Sequence, residues 1–276
     1  MAKKKRVITP IYPYDPLADN HDESAVEEVA EIKKTNRVND FAFISLAVFA
    51  TACTLFFFTF AIQMLRSYRI SGEEYNELRY LAAAVEAEAD IQPPAPALHI
   101  SALDMMMSEI NADFICWIRI EGTRIDYPVV RAGDNETYLH LTFAGTENAH
   151  GAIFMDYRNF GDFVPHIIIY GHNTRHGNMF TDLHRFLDTD FKARHPYITI
   201  IVNDRIVRYE IFSARRTDVY DPAFFLDFSE AGAFHAFLGR INAPEDAAQV
   251  ITLSTCVSAG NDAERMVVQG VLRNTY

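Results

Sequence analysis

The chain has 276 residues, with 25 Lys and Arg against 37 Asp and Glu and a net charge of −12. That length allows one sizeable domain with appendages. The negative charge argues against nucleic acid as a partner, because contact with phosphate requires basic stripes. The scattered cysteines argue against a disulfide framework; they are Cys53, Cys116 and Cys256.

The N-terminal quarter is predicted to lie outside the globular domain. Residues 1–40 mix basic and acidic side chains, which is typical of a flexible tail, with a short helix from Glu23 to Lys34. Residues 41–65 carry no charge and, at about 1.5 Å per residue, are long enough to cross the roughly 30 Å core of a bilayer. We predict a retained membrane anchor, since this segment is too long and lies too far from the start for a signal peptide.

Basic residues flank the predicted anchor unequally. Seven Lys and Arg precede it and three follow it closely. This bias favours a protein that crosses the cell membrane once, with its N-terminus in the cytoplasm and its domain outside the cell. Within the nearest twenty residues on each side the counts are equal at three, so charge alone leaves the orientation open.

A stalk and a linker are predicted between the anchor and the domain. Ser71 and Glu74 fit a capping box, and apolar residues follow at helical spacing as far as Val85. The Pro-rich run at 92–96 ends any helix and is stiff. We therefore assign residues 66–97 to a helical stalk and linker, and residues 98–276 to one globular domain.

The domain is predicted to be mainly β. Apolar runs alternate with turn signals, which indicates a closed barrel with few helices, and Asn203-Asp204 is a hairpin turn between two runs. The predicted strands span 115–120, 125–130, 152–156, 166–170, 198–202, 206–213, 250–255 and 266–272, and the predicted helices span 136–141, 179–187 and 230–241.

Three polar side chains stand at the ends of apolar strands. Cys256 ends one run, Arg265 begins another, and His172 follows a third. A cation favours the nucleophilic thiolate, and a guanidinium can hold a carbonyl oxygen or an oxyanion. At ordinary pKa values only about one per cent of molecules carry thiolate and imidazolium together at pH 7, which suffices if the histidine acts as an acid. The set predicts acyl transfer through a thioester.

Each of these residues also has a simpler interpretation. A cysteine at a strand end is usually a small buried hydrophobe, and a turn histidine can merely cap a strand. Arg265 can pair with Asp262 or Glu264 on the surface, which is the commoner role of an arginine. The specificity of the prediction therefore lies in the combination.

The histidines of the middle segment allow a metal site as an alternative. Two of them are four residues apart, but glycines break the helical spacing and no acidic residue completes a zinc-protease arrangement. We interpret them as solvated turn histidines, and we predict no metal and no cofactor. The histidines concerned are His166, His172, His176 and His184.

The motifs around the three residues resemble those of the sortases, surface transpeptidases of Gram-positive bacteria. The similarity covers about residues 110 to 273 and is closer to class B than to class A. One departure is Cys116, where the family leads us to expect glycine. The matching segments are Thr252-Leu-Ser-Thr-Cys256, Arg265-Met-Val-Val, Tyr170-Gly-His172-Asn, Trp117-Ile-Arg-Ile-Glu-Gly-Thr-Arg-Ile-Asp-Tyr-Pro-Val-Val and Gly151-Ala-Ile-Phe-Met-Asp-Tyr-Arg-Asn.

The resemblance implies an eight-stranded sortase barrel outside the cell. It implies that Cys256 attacks a Thr-Gly or Thr-Asn type bond in the C-terminal sorting signal of a secreted protein. In this scheme His172 is the general acid and base, Arg265 steadies the substrate, and an amine of the peptidoglycan cross-bridge accepts the product. By their positions beside these residues, substrate contacts are expected from Tyr170, Asn173, Ser254 and Thr255.

Other functions compete with this one. An L,D-transpeptidase also has its histidine before its cysteine, but its Ser-x-Gly-Cys motif does not match Ser254-Thr-Cys256-Val. A papain-like protease has the reverse order. From a different class, a membrane-tethered, catalytically inactive surface-binding module would leave Cys256 unreactive toward a thiol probe.

Overall fold

The computed structural model of the protein describes residues 23–91, 96–160, 164–174, 177–202, 205–258 and 261–275. The tail up to residue 22, the Pro-rich linker at 92–95, the turn at Asn203-Asp204 and His176 lie outside the described residues. The chain divides into two compact units, of which the first ends at Gln63 and the second begins at Met64.

The first unit contains the N-terminal part of α1, a helix that spans Glu23–Ile91. In this N-terminal part the apolar side chains are exposed on all sides, as at Phe41, Phe49 and Phe57. By length and composition, α1 is a candidate membrane span. An exposed helix that is apolar all round suits a bilayer, because lipid takes the place of a protein core.

The second unit is a closed barrel of eight strands in the order β1-β2-β3-β4-β7-β8-β6-β5, which confirms the predicted fold. The pairs β2 with β3 and β4 with β7 are parallel, and the other neighbours are antiparallel. The strands are β1 Phe114–Arg119, β2 Asp126–Val130, β3 Ile153–Met155, β4 His166–Tyr170, β5 Tyr197–Val202, β6 Arg205–Asp218, β7 Val250–Ser258 and β8 Asn261–Thr275.

Short helices surround the barrel. The predicted helices at 136–141 and 230–241 correspond to α3 and α5, whereas the one at 179–187 is a 3-10 helix, the tighter form common in short connections. Helices α2 and α4 have no counterpart among the predictions, although Asp188 is a clear N-cap of α4. The bounds are α2 Pro96–Ile110, α3 Thr137–His140, α4 Thr189–Arg194 and α5 Ala233–Arg240, with 3-10 helices at Thr181–Leu187 and Pro222–Phe224.

The sheet formed by β4, β7, β8 and β6 is covered differently on its two faces. Along β7, Ile251 and Leu253 belong to the barrel core, whereas Val250 packs in a separate cluster with Phe237 of α5. Successive side chains of a strand point to opposite faces. Cys256 therefore lies on the outer face, the one covered by the connection between β6 and β7.

The C-terminal part of α1 packs into the second unit. Tyr75 is buried, and its hydroxyl donates to the carbonyl of Gly151 at 3.1 Å and accepts from the amide of Phe143 at 3.2 Å. Tyr75 and its helical neighbour Leu78 belong to the same hydrophobic core as the barrel. The compact unit thus begins well before Leu98, the predicted start of the domain. The predicted domain boundaries remain predictions.

Candidate active site

Cys256 and Arg265 lie directly opposite each other on β7 and β8. The distance from Arg265 Nη1 to Cys256 Sγ is 3.4 Å, and both residues are half-buried. Their separation of nine positions in the sequence follows from the antiparallel pairing of the two strands. Because a guanidinium keeps its charge, it favours the thiolate form of this cysteine.

His172 lies at the same end of the sheet as Cys256. Strand β4 runs parallel to β7 with Tyr170 opposite Ser254, so the two chains leave the sheet at the same edge. His172 Nε2 is 3.0 Å from the carbonyl oxygen of Leu139. Since a carbonyl can only accept, we assign the proton to Nε2, and Nδ1 is then the basic nitrogen of the neutral ring. The three predicted catalytic residues therefore share one end of the sheet.

The backbone that holds His172 requires a glycine at position 151. Gly151 has a φ of +56°, in the left-handed region that favours glycine. A Cβ atom at this position would clash with the carbonyl oxygens of Tyr138 and Leu139. Gly151 thus permits the close approach of the chain segment that presents the Leu139 carbonyl to His172.

Asn173 supports the backbone of Cys256. Its Nδ2 donates to the carbonyl oxygens of Cys256 at 3.0 Å and Val257 at 3.1 Å. His184 Nε2 lies 3.4 Å from the same Cys256 oxygen. Burial lowers the pKa of His184, the Cys256 carbonyl opposes this shift, and Arg216 reinforces it. The sequence did not indicate that Asn173 and His184 contact the backbone of Cys256.

Tyr170 belongs to a network around the buried carboxylate of Asp156. The Tyr170 hydroxyl donates to Asp156 at 2.9 Å, Arg158 donates to both carboxylate oxygens at 2.9 and 2.8 Å, and Asn135 donates at 3.1 Å. Burial alone would raise the pKa of Asp156, but Arg158 and Tyr170 hold it below its ordinary value. Sequence reasoning gave no role to Asp156 or Arg158; the available signal was an Asp-x-Arg pair at the end of an apolar strand.

A cleft of about 340 Å³ opens beside the cysteine and arginine pair. Its walls combine apolar side chains with N–H and O–H donors. Such a lining suits an extended peptide, because apolar walls accept side chains and the donors meet carbonyl oxygens. The lining residues are Arg158, Tyr170, Val219, Phe224 and Arg265.

Ser254 and Thr255 point in opposite directions. Ser254 is two residues from Cys256 and shares its outer face, whereas Thr255 lies on the face of Leu253 and the barrel core. Both side chains are buried, and their hydroxyl oxygens have no hydrogen-bond partner within the described residues. By this alternation, Ser254 and not Thr255 is oriented toward the face of Cys256.

His166 is not a solvated turn histidine, and that interpretation is wrong. It is fully buried on the outer face of the sheet, and its ring packs 4.6 Å from the ring of Phe237. Nδ1 is 2.8 Å from the Phe225 carbonyl oxygen, and Nε2 is 2.8 Å from the Thr252 hydroxyl. The sequence missed this burial because the covering aromatic residues lie about 60 to 70 positions away. Among the described residues, no three His, Cys, Asp or Glu side chains are grouped to hold a metal ion.

We expect the fold to lose stability as the pH falls toward about 4, because of His166. Burial lowers the pKa of His166 to about 4, although the Phe225 carbonyl and the charge of Asp156 oppose the shift. Between its ordinary pKa and this value the unfolded chain binds a proton that the folded chain does not. The free energy of unfolding should therefore fall by up to about 3 kcal/mol on acidification.

Urea denaturation of the wild type and of His166→Gln between pH 7 and pH 4 measures this contribution of His166. The glutamine variant lacks the titrating group, so the difference in unfolding free energy between the two proteins should narrow as the pH falls. A difference that stays constant over this interval would contradict the prediction.

A family model described as a sortase domain matches residues 118–273. The chain is 34% identical over 179 residues to sortase B of Listeria monocytogenes, covering 60% of this chain and 72% of that protein. The structure of a Staphylococcus aureus sortase B-substrate complex matches with a TM-score of 0.65 at 25% identity, over 75% of this chain and 97% of that chain. A sortase B complexed with triglycine matches with a TM-score of 0.65 at 25% identity, over 75% and 98%.

Proposed function

Because this chain belongs to the sortase family of cysteine transpeptidases, we propose that Cys256 forms a thioester with the sorting signal of a surface protein and that a cell-wall amine resolves it. The observation that carries the proposal is the 3.4 Å contact between Arg265 Nη1 and Cys256 Sγ, at the strand end that His172 shares. Because of this family membership, we prefer a sortase to the two alternatives, an L,D-transpeptidase and an inactive surface-binding module.

In the first half-reaction, Cys256 starts as a thiolate whose proton is on His172 Nδ1, and its Sγ attacks the carbonyl carbon of the scissile peptide bond. The carbonyl oxygen gains negative charge, and an N–H group of Arg265 donates to it. The C–N bond then breaks, His172 gives a proton to the leaving amine, and an acyl thioester remains on Cys256. Since Leu139 engages Nε2, Nδ1 is the nitrogen that exchanges this proton.

In the second half-reaction, an amine attacks the thioester carbonyl. His172 takes the proton of the attacking amine, the C–S bond breaks, and Cys256 leaves as thiolate beside Arg265. A new amide joins the sorted protein to the acceptor. The matched sortase B structures, one in complex with substrate and one with triglycine, support a sorting signal and an amine as the two substrates.

The cleft beside the nucleophile is the proposed binding site for the sorting signal. Tyr170 and Arg158 form one part of its lining and Phe224 another, and Ser254 shares the outer face of the sheet. Asn173 contributes through the backbone of Cys256. The buried Asp156 keeps Tyr170 and Arg158 in place, since it bonds to both.

The candidate membrane span in α1 supports a tethered enzyme. The proposed acceptor belongs to the cell wall, so the barrel has to lie outside the cell and the N-terminal tail inside. Residues 41–65 then anchor the enzyme at the surface where secreted substrates emerge.

Peptide cleavage by the full chain in detergent micelles tests the proposed function. A library of peptides with Thr-Gly and Thr-Asn bonds is incubated with and without triglycine. We expect a subset to be cut, a covalent acyl adduct on Cys256 in the mass spectrum, and faster turnover with a new amide product when triglycine is present. If no peptide is cut and no adduct forms, the proposal fails.

A further inference from the structure

Five side chains outside the catalytic set form a chain of hydrogen bonds across the outer face of the sheet. Arg215 donates to Asp221 at 2.6 Å and to Gln269 at 2.5 Å. Gln269 donates to the Thr252 hydroxyl at 3.0 Å, which lies 2.8 Å from His166 Nε2. The fifth member, His166, reaches the backbone of the β6–β7 connection. In order the five are Asp221, Arg215, Gln269, Thr252 and His166.

The donor and the acceptor can be assigned for every hydrogen bond that links these five side chains. The Phe225 carbonyl can only accept, so His166 Nδ1 carries the proton and donates to it at 2.8 Å. His166 Nε2 then accepts from the Thr252 hydroxyl, whose oxygen accepts from the Gln269 amide. His166, Thr252 and Gln269 are all fully buried, so each depends on its neighbour for its hydrogen bonds.

The chain of bonds closes on itself through the short segment 221–225. Asp221 accepts the bond from Arg215 at one end, and the carbonyl of Phe225 accepts the bond from His166 at the other. Asp221 also caps the 3-10 helix Pro222–Phe224 by accepting from the amide of Ala223 at 2.7 Å. We call this closed circuit the hydrogen-bond ring.

Phe224, which lines the substrate cleft, lies within the segment that the ring fastens at both ends. Thr217, whose hydroxyl donates to Asp221, is paired with Arg265 across β6 and β8. The ring therefore connects the apolar wall of the cleft to the strands that carry the nucleophile and its cation.

We propose that the hydrogen-bond ring is a positioning device that fixes Phe224 in the wall of the cleft. Affinity for the sorting signal then depends on His166, Thr252 and Gln269, which do not line the cleft. This inference rests on the proposed function, since it concerns the same cleft. The nucleophile and its cation are held by strand pairing instead, so the ring acts on binding more than on the chemical steps.

The test compares Thr252→Val with Thr252→Ser in the full chain. Valine has the shape of threonine but neither donates to His166 nor accepts from Gln269, whereas serine keeps the hydroxyl. We expect Thr252→Val to raise KM about five-fold with kcat within about two-fold of the wild type, and Thr252→Ser to restore KM. Phe224→Ala should raise KM in the same direction.

Tyr209→Phe is the matched control for a purely structural effect. Tyr209 is also buried, on the barrel-core side, and its hydroxyl donates one hydrogen bond of 2.6 Å to Gln249, which the phenylalanine variant loses. We expect it to lower stability as Thr252→Val does but to leave KM unchanged. A wild-type KM in Thr252→Val, or an equal rise in Tyr209→Phe, would overturn the positioning role.

Hydrogen exchange separates this inference from the proposed function. Backbone amides of residues 221–228 should exchange faster in Thr252→Val than in the wild type or Tyr209→Phe, whatever substrate the cleft accepts. If these amides exchange at the wild-type rate in Thr252→Val, the hydrogen-bond ring does not hold this segment in place. If the wild type cuts no sorting peptide, the proposed function alone is rejected, and the exchange rates still decide whether the ring holds the cleft wall.

Discussion

A Cys256→Ala variant is expected to lose transpeptidation while it keeps its fold. Alanine removes the atom that we propose forms the thioester, so turnover of a fluorogenic sorting-signal peptide should fall by about 10³-fold or more. Cys256 is half-buried at the end of β7, and the smaller side chain should change the free energy of unfolding by about 1 kcal/mol or less. Thermal unfolding measured on the same preparation separates loss of the nucleophile from loss of structure.

Cys116 provides the matched control for this substitution. It is 2% exposed in β1, and burial together with Asp104 raises the pKa of its thiol far above the ordinary value, so it is a poor nucleophile. Cys116→Ala should keep turnover at some cost in stability. A thiol probe should label Cys256 in the wild type, and more slowly in His172→Ala. Cleavage by Cys256→Ala at an undiminished rate would assign the nucleophile to another group.

An Arg265→Lys variant is expected to lose about 10²-fold in rate although it keeps its positive charge. The guanidinium offers five N–H groups in a fixed plane, so one can face Cys256 Sγ, at 3.4 Å, while others remain for a carbonyl oxygen. A lysine ammonium is a point charge and cannot serve both atoms in the same geometry. Because the proposed bond that is lost forms with the developing oxyanion, kcat and kcat/KM should fall together.

Arg273→Lys is the control for Arg265→Lys. Arg273 lies on the same strand and pairs with Glu210 at 2.6 Å, with both side chains well exposed. Exposed pairs of this kind contribute little, so its turnover should match that of the wild type. Near-normal turnover in Arg265→Lys would remove Arg265 from the proposed role at the oxyanion.

The barrel was predictable because each strand carries its own local signal. Runs such as residues 198–202 are short, apolar and β-branched, and the structure forms all eight predicted strands, although β6 and β8 are longer than predicted. The parts of β6 and β8 beyond the predicted bounds contain polar residues such as Arg215 and Arg273. These parts are extended because β6 and β8 pair with each other, not because of their composition. Helix α2 was missed for a related reason: its apolar Met run has no distinct period, and burial of Met107 against the barrel decides its conformation.

The candidate site was predictable where a residue type and a strand end coincide. Cys256, His172 and Arg265 meet this condition, and parallel and antiparallel pairing brings them to one edge. The hydrogen-bond ring was not predictable, since its members come from four strands and one loop and no local pattern links them. His166 shows the difference, because only the fold reveals which aromatic residues cover it.

The insertion of Tyr75 between Gly151 and Phe143 affects how the enzyme should be produced without its anchor. A recombinant form that begins at Leu98 would lack this tyrosine. The Phe143 amide and the Gly151 carbonyl would then lose their hydrogen bonds to its hydroxyl. Gly151 packs against the carbonyl of Leu139, which contacts His172, so the shortened enzyme would hold His172, the proposed acid and base, less firmly while Cys256 stays in place. A soluble form that starts before Ser71 keeps Tyr75 and its two hydrogen bonds, and is therefore the form to use for crystals and assays.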